Sequence, residues 1–172
     1  MKKLLICAAL AAAVAAPTTA SAADPARADF KNAAKYCKEF KKASGANFAT
    51  MFGTKKNAYG KCVSQTAKKT ATEDAAQEKA AKTNAAKECK AEGLKGREYG
   101  TCVSTRAKAK QAAADAEDEA LQDDRISAAK SCKTAKKDDA EQFSADYGTR
   151  RNAFGKCVSK TARQLAAERK AA

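Results

Sequence analysis

Large apolar residues are few along this chain, and they come in clusters. Phe30, Tyr36, Phe40, Phe48, Met51, Phe52, Tyr59 and Val63 form one group; Phe143, Tyr147, Phe154 and Val158 form another, with Leu121 and Ile126 just before it. Between Val63 and Leu94 there is no Val, Ile, Leu, Met, Phe or Tyr. Phe30, Ala33 or Ala34, Cys37 and Phe40 recur at helical spacing and put Cys37 on a buried face. They predict a first helix that opens near Asp24-Pro25, with Asp24 as N-cap, and closes at Ser44-Gly45. Asn57 is the expected N-cap of a second helix. Lys61 to Glu92 holds no Gly or Pro, so that helix should run about 35 residues, or ~50 Å. Gly93 and Gly96 mark a turn, and a third helix should span about Arg97 to Lys137. Asp138-Asp139 and Gly148 mark the next break, and Asn152 caps a fourth helix. The expected fold is all-α: four antiparallel helices, two of them long, in a zigzag or bundle. Two arrangements are open for the alanine-rich stretches. They pack alanine on alanine, or they are solvated single helices joining separate beads.

The cysteines sharpen this picture through an internal repeat. Residues 33–67 and 128–162 align without gaps at 19 identities in 35 positions. A shorter copy occupies residues 85–107. The shared signatures are A-A-K-x-C-K, around Cys37, Cys89 and Cys132, and [YF]-G-x-C-V-S, around Cys62, Cys102 and Cys157. Self-similarity of this kind marks a triplicated supersecondary unit. Each copy carries two cysteines, so the expected bridges are Cys37–Cys62, Cys89–Cys102 and Cys132–Cys157, each tying the end of one helix to the start of the next. The fold is thus read as three disulfide-stapled helical-hairpin repeats, with the first and third units at one pole and the second at the other. Gly60, Gly100 and Gly155 each precede the second cysteine of a unit by two positions, which suggests close backbone approach or a turn needing positive φ.

Composition changes the picture in two ways. Of 172 residues 45 are alanine, and after residue 22 only 18 are large apolar types. A core that thin needs staples, extension or a partner. There is also no histidine, which removes Ser-His-Asp, Cys-His and H-E-x-x-H chemistry. Ser64, Ser104 and Ser159 recur, but no constant activating base accompanies them, so shared descent explains them better than nucleophilic catalysis. No catalytic, cofactor or metal residues are assigned, and the chain is read as a non-enzyme. The acidic stretch Asp115, Glu117, Asp118, Glu119, Asp123 and Asp124 lacks the spacing of a calcium loop. It reads as a solvated face that can neutralise lysines of a neighbouring helix.

Lys2 and Lys3, the apolar run Leu4 to Ala16, Pro17 and Ala20-Ser21-Ala22 match a secretory signal peptide of bacterial type over residues 1–22. Cleavage near Ala22 would leave a mature helical domain, 23–172, secreted or held in the periplasm or cell envelope. Disulfides suit that compartment. Losing Lys2 and Lys3 lowers the net charge from +14 to +12. Residues 31–69 hold ten lysines and one acid, Glu39. If the first and third units share a pole, Lys41, Lys42, Lys55, Lys56 and Lys61 merge with Lys136, Lys137, Arg150, Arg151 and Lys156 into a polyanion-binding end. The expected role is a binding or structural protein that engages an anionic envelope polymer, a lipid surface or a protein partner. A secreted membrane-active or antimicrobial protein is the alternative, and a nucleic-acid-binding basic protein, intracellular with its leader retained and cysteines reduced, a weaker one; extracellular nucleic acid is an unspecific partner. A bland reading competes with all of them: the lysines keep an alanine-rich surface soluble.

Overall fold

The computed structural model describes residues 25–53 and 56–172, so the expected signal peptide and Lys55 lie outside the described residues. The chain is all-helical, with no strand among the described residues. The elements are α1 (Arg27–Ser44), α2 (Asn47–Phe52), α3 (Ala58–Ala91), α4 (Gly96–Asp138), α5 (Ala140–Tyr147) and α6 (Ala153–Ala171). Among the described residues there are six helices, where the sequence pattern predicts four. The long ones fall close to the expected bounds. The additional ones, α2 and α5, occupy the segments between them that read as breaks.

Each short helix exists to deliver two rings. Phe48 and Phe52 are one turn apart on α2, with centroids 4.8 Å apart and planes at 41°. Phe143 and Tyr147 stand the same way on α5, at 4.9 Å and 44°. Gly53 and Gly148 end these helices at φ 106 and 86, a region that strains any residue with a Cβ. Asp139 starts α5, its carboxylate accepting from the Gln142 N–H at 2.8 Å. A six- or eight-residue helix has no room to establish a period, so only the i, i+4 aromatic pair marks it in the sequence.

Other local expectations are corrected. The α1 N-cap position is Ala26, whose N–H donates to the Asp29 carboxylate at 2.7 Å. Phe30 is 42% exposed: its spacing places it along the face of Ala33, Cys37 and Phe40, but no neighbour covers it there. Asn57 and Asn152 do occupy N-cap positions, but neither side chain makes a capping hydrogen bond. Gly60, Gly100 and Gly155 have no positive φ. They sit in the first two turns of α3, α4 and α6, and a Cβ at Gly60 or Gly100 would meet nothing within 4 Å. Glycine in an exposed helix turn costs backbone entropy. Gly60→Ala and Gly100→Ala should therefore each raise stability by about 0.5–1 kcal/mol, read from the urea midpoint. A loss of stability would show a backbone demand at these positions.

All three disulfides join the expected pairs: Cys37–Cys62, Cys89–Cys102 and Cys132–Cys157. One core gathers the residues around the first and third: Tyr36, Phe40, Phe48, Phe143, Phe154 and Val158, with Cys37, Cys62, Cys132, Cys157 and several alanines. The Cys37 sulfur lies 3.7 Å from the Thr66 hydroxyl, and the Cys132 sulfur 3.8 Å from that of Thr161. Helices α1, α3 and α6 all pack on α4. Away from this core, α3 and α4 continue together through buried Ala81, Ala85 and Ala107 as far as Cys89. The alanine-on-alanine alternative is therefore the one realised, and solvated single helices are not. Small side chains let the two backbones approach closely, but each contact buries little area, so the outer hairpin depends on its staple.

Candidate functional site

The antiparallel course of the long helices decides where charge collects. Lys41 and Lys42 lie in the last turn of α1, and Lys136 and Lys137 in the last turn of α4. Lys61 lies in the first turn of α3 and Lys156 in that of α6, while Lys56, Arg150 and Arg151 lie in the turns that precede them. These nine are brought to one end of the molecule, the end that holds the shared core. Lys133 and Lys160 join them. The Lys133 ammonium lies beside Gly45, and Lys160 stands 5.9 Å from the Tyr147 ring centroid. The Lys136 ammonium donates to Asn47 Oδ1 at 2.9 Å, tying α4 to α2. Lysines at helix C-termini also complement the helix dipole, which accounts for the presence of Lys41, Lys42, Lys136 and Lys137 but not of the others.

The two ends differ in how their charge is balanced. Described residues 36–61 and 130–160 hold thirteen lysines and arginines against five acids. Of those thirteen only Lys42 forms an ion pair among the described residues, with Glu39 at 2.9 Å. At the other end Arg106 pairs with Glu92 at 2.6 Å and Glu88 at 3.7 Å, and Lys110 pairs with Glu88 at 2.9 Å. Helical spacing and the α3–α4 register give Lys82, Arg106 and Lys110 carboxylate neighbours, while Lys79, Lys87, Lys90, Lys95, Arg97 and Lys108 have no ion pair among the described residues.

The acidic stretch of α4 also finds partners, on α6. Arg169 forks onto Glu117 at 2.9 and 3.1 Å and reaches Asp124 at 3.3 Å, and Lys170 lies 3.0 Å from Glu117. The Arg169 hydrogen bond, then that of Lys170, holds the Glu117 carboxyl down to about 2 from an ordinary 4.5. A carboxyl depressed on folding stabilises the folded chain above its unfolded pKa, and this contribution fades as pH falls toward the folded one. The hold of α6 on α4 should thus be complete above about pH 4.5 and lost progressively as pH falls to about 2. Amide exchange of residues 166–170 across that range would report it. Arg169→Gln should return the Glu117 titration toward the ordinary carboxylate range. An unchanged titration would remove the assignment.

A second concave feature has no counterpart in the sequence reading. A trough of about 470 Å³ is walled by Thr66, Lys69, Thr70 and Glu73 of α3 and by Ser159, Ala162, Arg163, Ala166, Ala167 and Lys170 of α6. Asp118, Leu121, Gln122 and Arg125 of α4 form its floor, and Tyr36 of α1 stands at one end. Burial pushes the Tyr36 phenol up, against the pull of the neighbouring Arg125 guanidinium. These residues come from four helices, and no local spacing announces them.

Fold and bridges together define an all-α protein cross-linked by three disulfides, a chemistry of oxidising compartments. Among the described residues no helix is long and apolar enough to cross a membrane. Comparison with protein-family models, with curated proteins and with solved structures gives no match.

Proposed function

We propose that this is an exported, non-catalytic binding or structural protein whose cationic end engages anionic polymers of the cell envelope or extracellular space. The observation that carries the reading is the concentration of unpaired cations at the end that holds the shared core. Among the described residues, three of the nine cations over 78–110 are paired, against one of the thirteen at the core end. The repeat gives this a structural basis. Two stapled hairpin units lie face to face in a four-helix arrangement, their connecting turns side by side, and the abridged middle unit forms the far tip. Export is the expected route to the bridges, by way of cleavage near Ala22.

Retention of the oxidised mature protein on isolated anionic envelope polymers and on DNA, titrated with salt, tests the reading. The logarithm of affinity should fall linearly with the logarithm of salt, losing about 0.7–0.9 of slope for each phosphate contact removed. Replacing Lys56, Lys136, Lys137, Arg150, Arg151 and Lys156 with glutamine should flatten that dependence and weaken retention by about 10²–10³-fold. Retention indifferent to salt or to these changes would remove the proposal. Dye release from anionic vesicles without polymer retention would replace it with a membrane-active role.

A further inference from the structure

We propose that the trough between α3 and α6 binds a single-chain amphipathic anion, with its charged head at Arg125 and Arg163 and its alkyl chain along Leu121, Ala162 and Ala166. This goes beyond the polymer-binding reading and uses a different part of the surface. The volume, about 470 Å³, falls within the range of small-molecule sites, roughly 300–1,000 Å³.

The trough is polar in a directional way. Thr66 and Glu73 are seven residues apart on α3, as are Arg125 and Asp118 on α4, or ~10 Å in each case. The end near Tyr36 thus holds Arg125, Arg163 and the hydroxyls of Thr66 and Ser159; the opposite end holds the carboxylates. Those carboxylates are engaged already: Glu73 pairs with Lys69 at 3.3 Å, and Asp118 accepts from the Gln77 amide at 2.9 Å. Lys170 is taken up by Glu117 at 3.0 Å. Arg125 and Arg163 remain as the trough's cations with no ion pair among the described residues. Guanidinium groups beside hydroxyl donors suit a phosphate or carboxylate head. Between the two ends the α6 wall is alanine, the α3 wall is Lys69 and Thr70, and the floor is Gln122 and Leu121, the leucine 37% exposed. An exposed leucine beside an alanine wall gains by accepting an alkyl chain. A free inorganic anion would use the head site alone.

Calorimetry of the mature oxidised protein with decyl phosphate below its micelle concentration tests this. Inorganic phosphate and a neutral decyl glycoside serve as the two half-ligands. One-to-one binding of decyl phosphate is expected, at least 10-fold tighter than either half-ligand. Arg125→Gln with Arg163→Gln should weaken it by 10-fold or more. Ala167→Trp, on the exposed rim, should block it while the circular dichroism and melting temperature stay as in the parent. Lys56→Gln with Arg151→Gln lies outside the trough and should leave it unchanged, although it weakens polymer retention, so the two sites fail separately. Equal affinity for inorganic phosphate, absence of decyl phosphate binding, or indifference to Ala167→Trp would each overturn the assignment.

Discussion

Replacing Cys132 and Cys157 together by alanine should lower stability by about 3.5 kcal/mol, from the release of a 25-residue loop in the unfolded chain. Both sulfurs are buried in the shared core, so lost packing adds to the entropic cost. Small domains have net stabilities of only about 5–15 kcal/mol, and this one relies on few large apolar side chains, so the variant should melt far below the parent or be unfolded at 37 °C. The Cys37–Cys62 pair should behave in the same way. Cys89–Cys102 closes 13 residues, worth about 3 kcal/mol in the same model, but Cys102 is only half-buried and the shared core lies elsewhere. Its removal should open the outer ends of α3 and α4 while the core holds. Thermal melts give the magnitudes, and amide exchange shows whether the opening is local. A loss below about 1 kcal/mol for Cys132–Cys157 would contradict the role assigned to the staples.

Phe40→Ala should cost about 3–5 kcal/mol. Phe40 is 2% exposed and stacks on Tyr36 with centroids 5.5 Å apart. Its centroid is 6.3 Å from those of both Phe48 and Phe52. The repeat shows why one ring matters so much. Its counterpart in the third unit is Ala135, and the counterpart of Tyr36 is Ser131, so at these two positions only the first unit supplies rings. Deleting it leaves a cavity bounded by helices that are tied by disulfides and cannot collapse freely. Phe30→Ala is the control: with its ring 42% exposed, it should change stability by less than about 0.5 kcal/mol. Urea unfolding of the two variants separates a core role from a general aromatic effect, and equal losses would refute the division.

Much of the fold was legible because its signals are local. The extents of α3 and α4 follow from a long absence of Gly and Pro, with Gly93 to Gly96 between them. The disulfide pairing follows from two cysteines per copy of the repeat. The same localness explains the failures. The helices α2 and α5 were missed because six and eight residues between glycines leave no period to read. Phe30 was placed on the buried face because its spacing fits, yet spacing only ranks the faces of a helix, and a neighbour must arrive to cover one. The recurrent glycines were given a backbone role, but their helical φ shows no such demand.

For function the division lies elsewhere. Residue order alone settled that histidine chemistry is excluded, that three staples are available, and that lysine outnumbers acid around the first and third units. Tertiary structure decided which of these charges meet. Four helix termini converge because the long helices run antiparallel, and Arg106 and Lys110 are paired because α3 and α4 lie in register. The trough, drawn from residues 36 to 170, arises only where α1, α3 and α6 meet around α4. Contacts between residues so distant along the chain depend on how side-chain volumes pack in three dimensions, and a one-dimensional pattern does not carry that information.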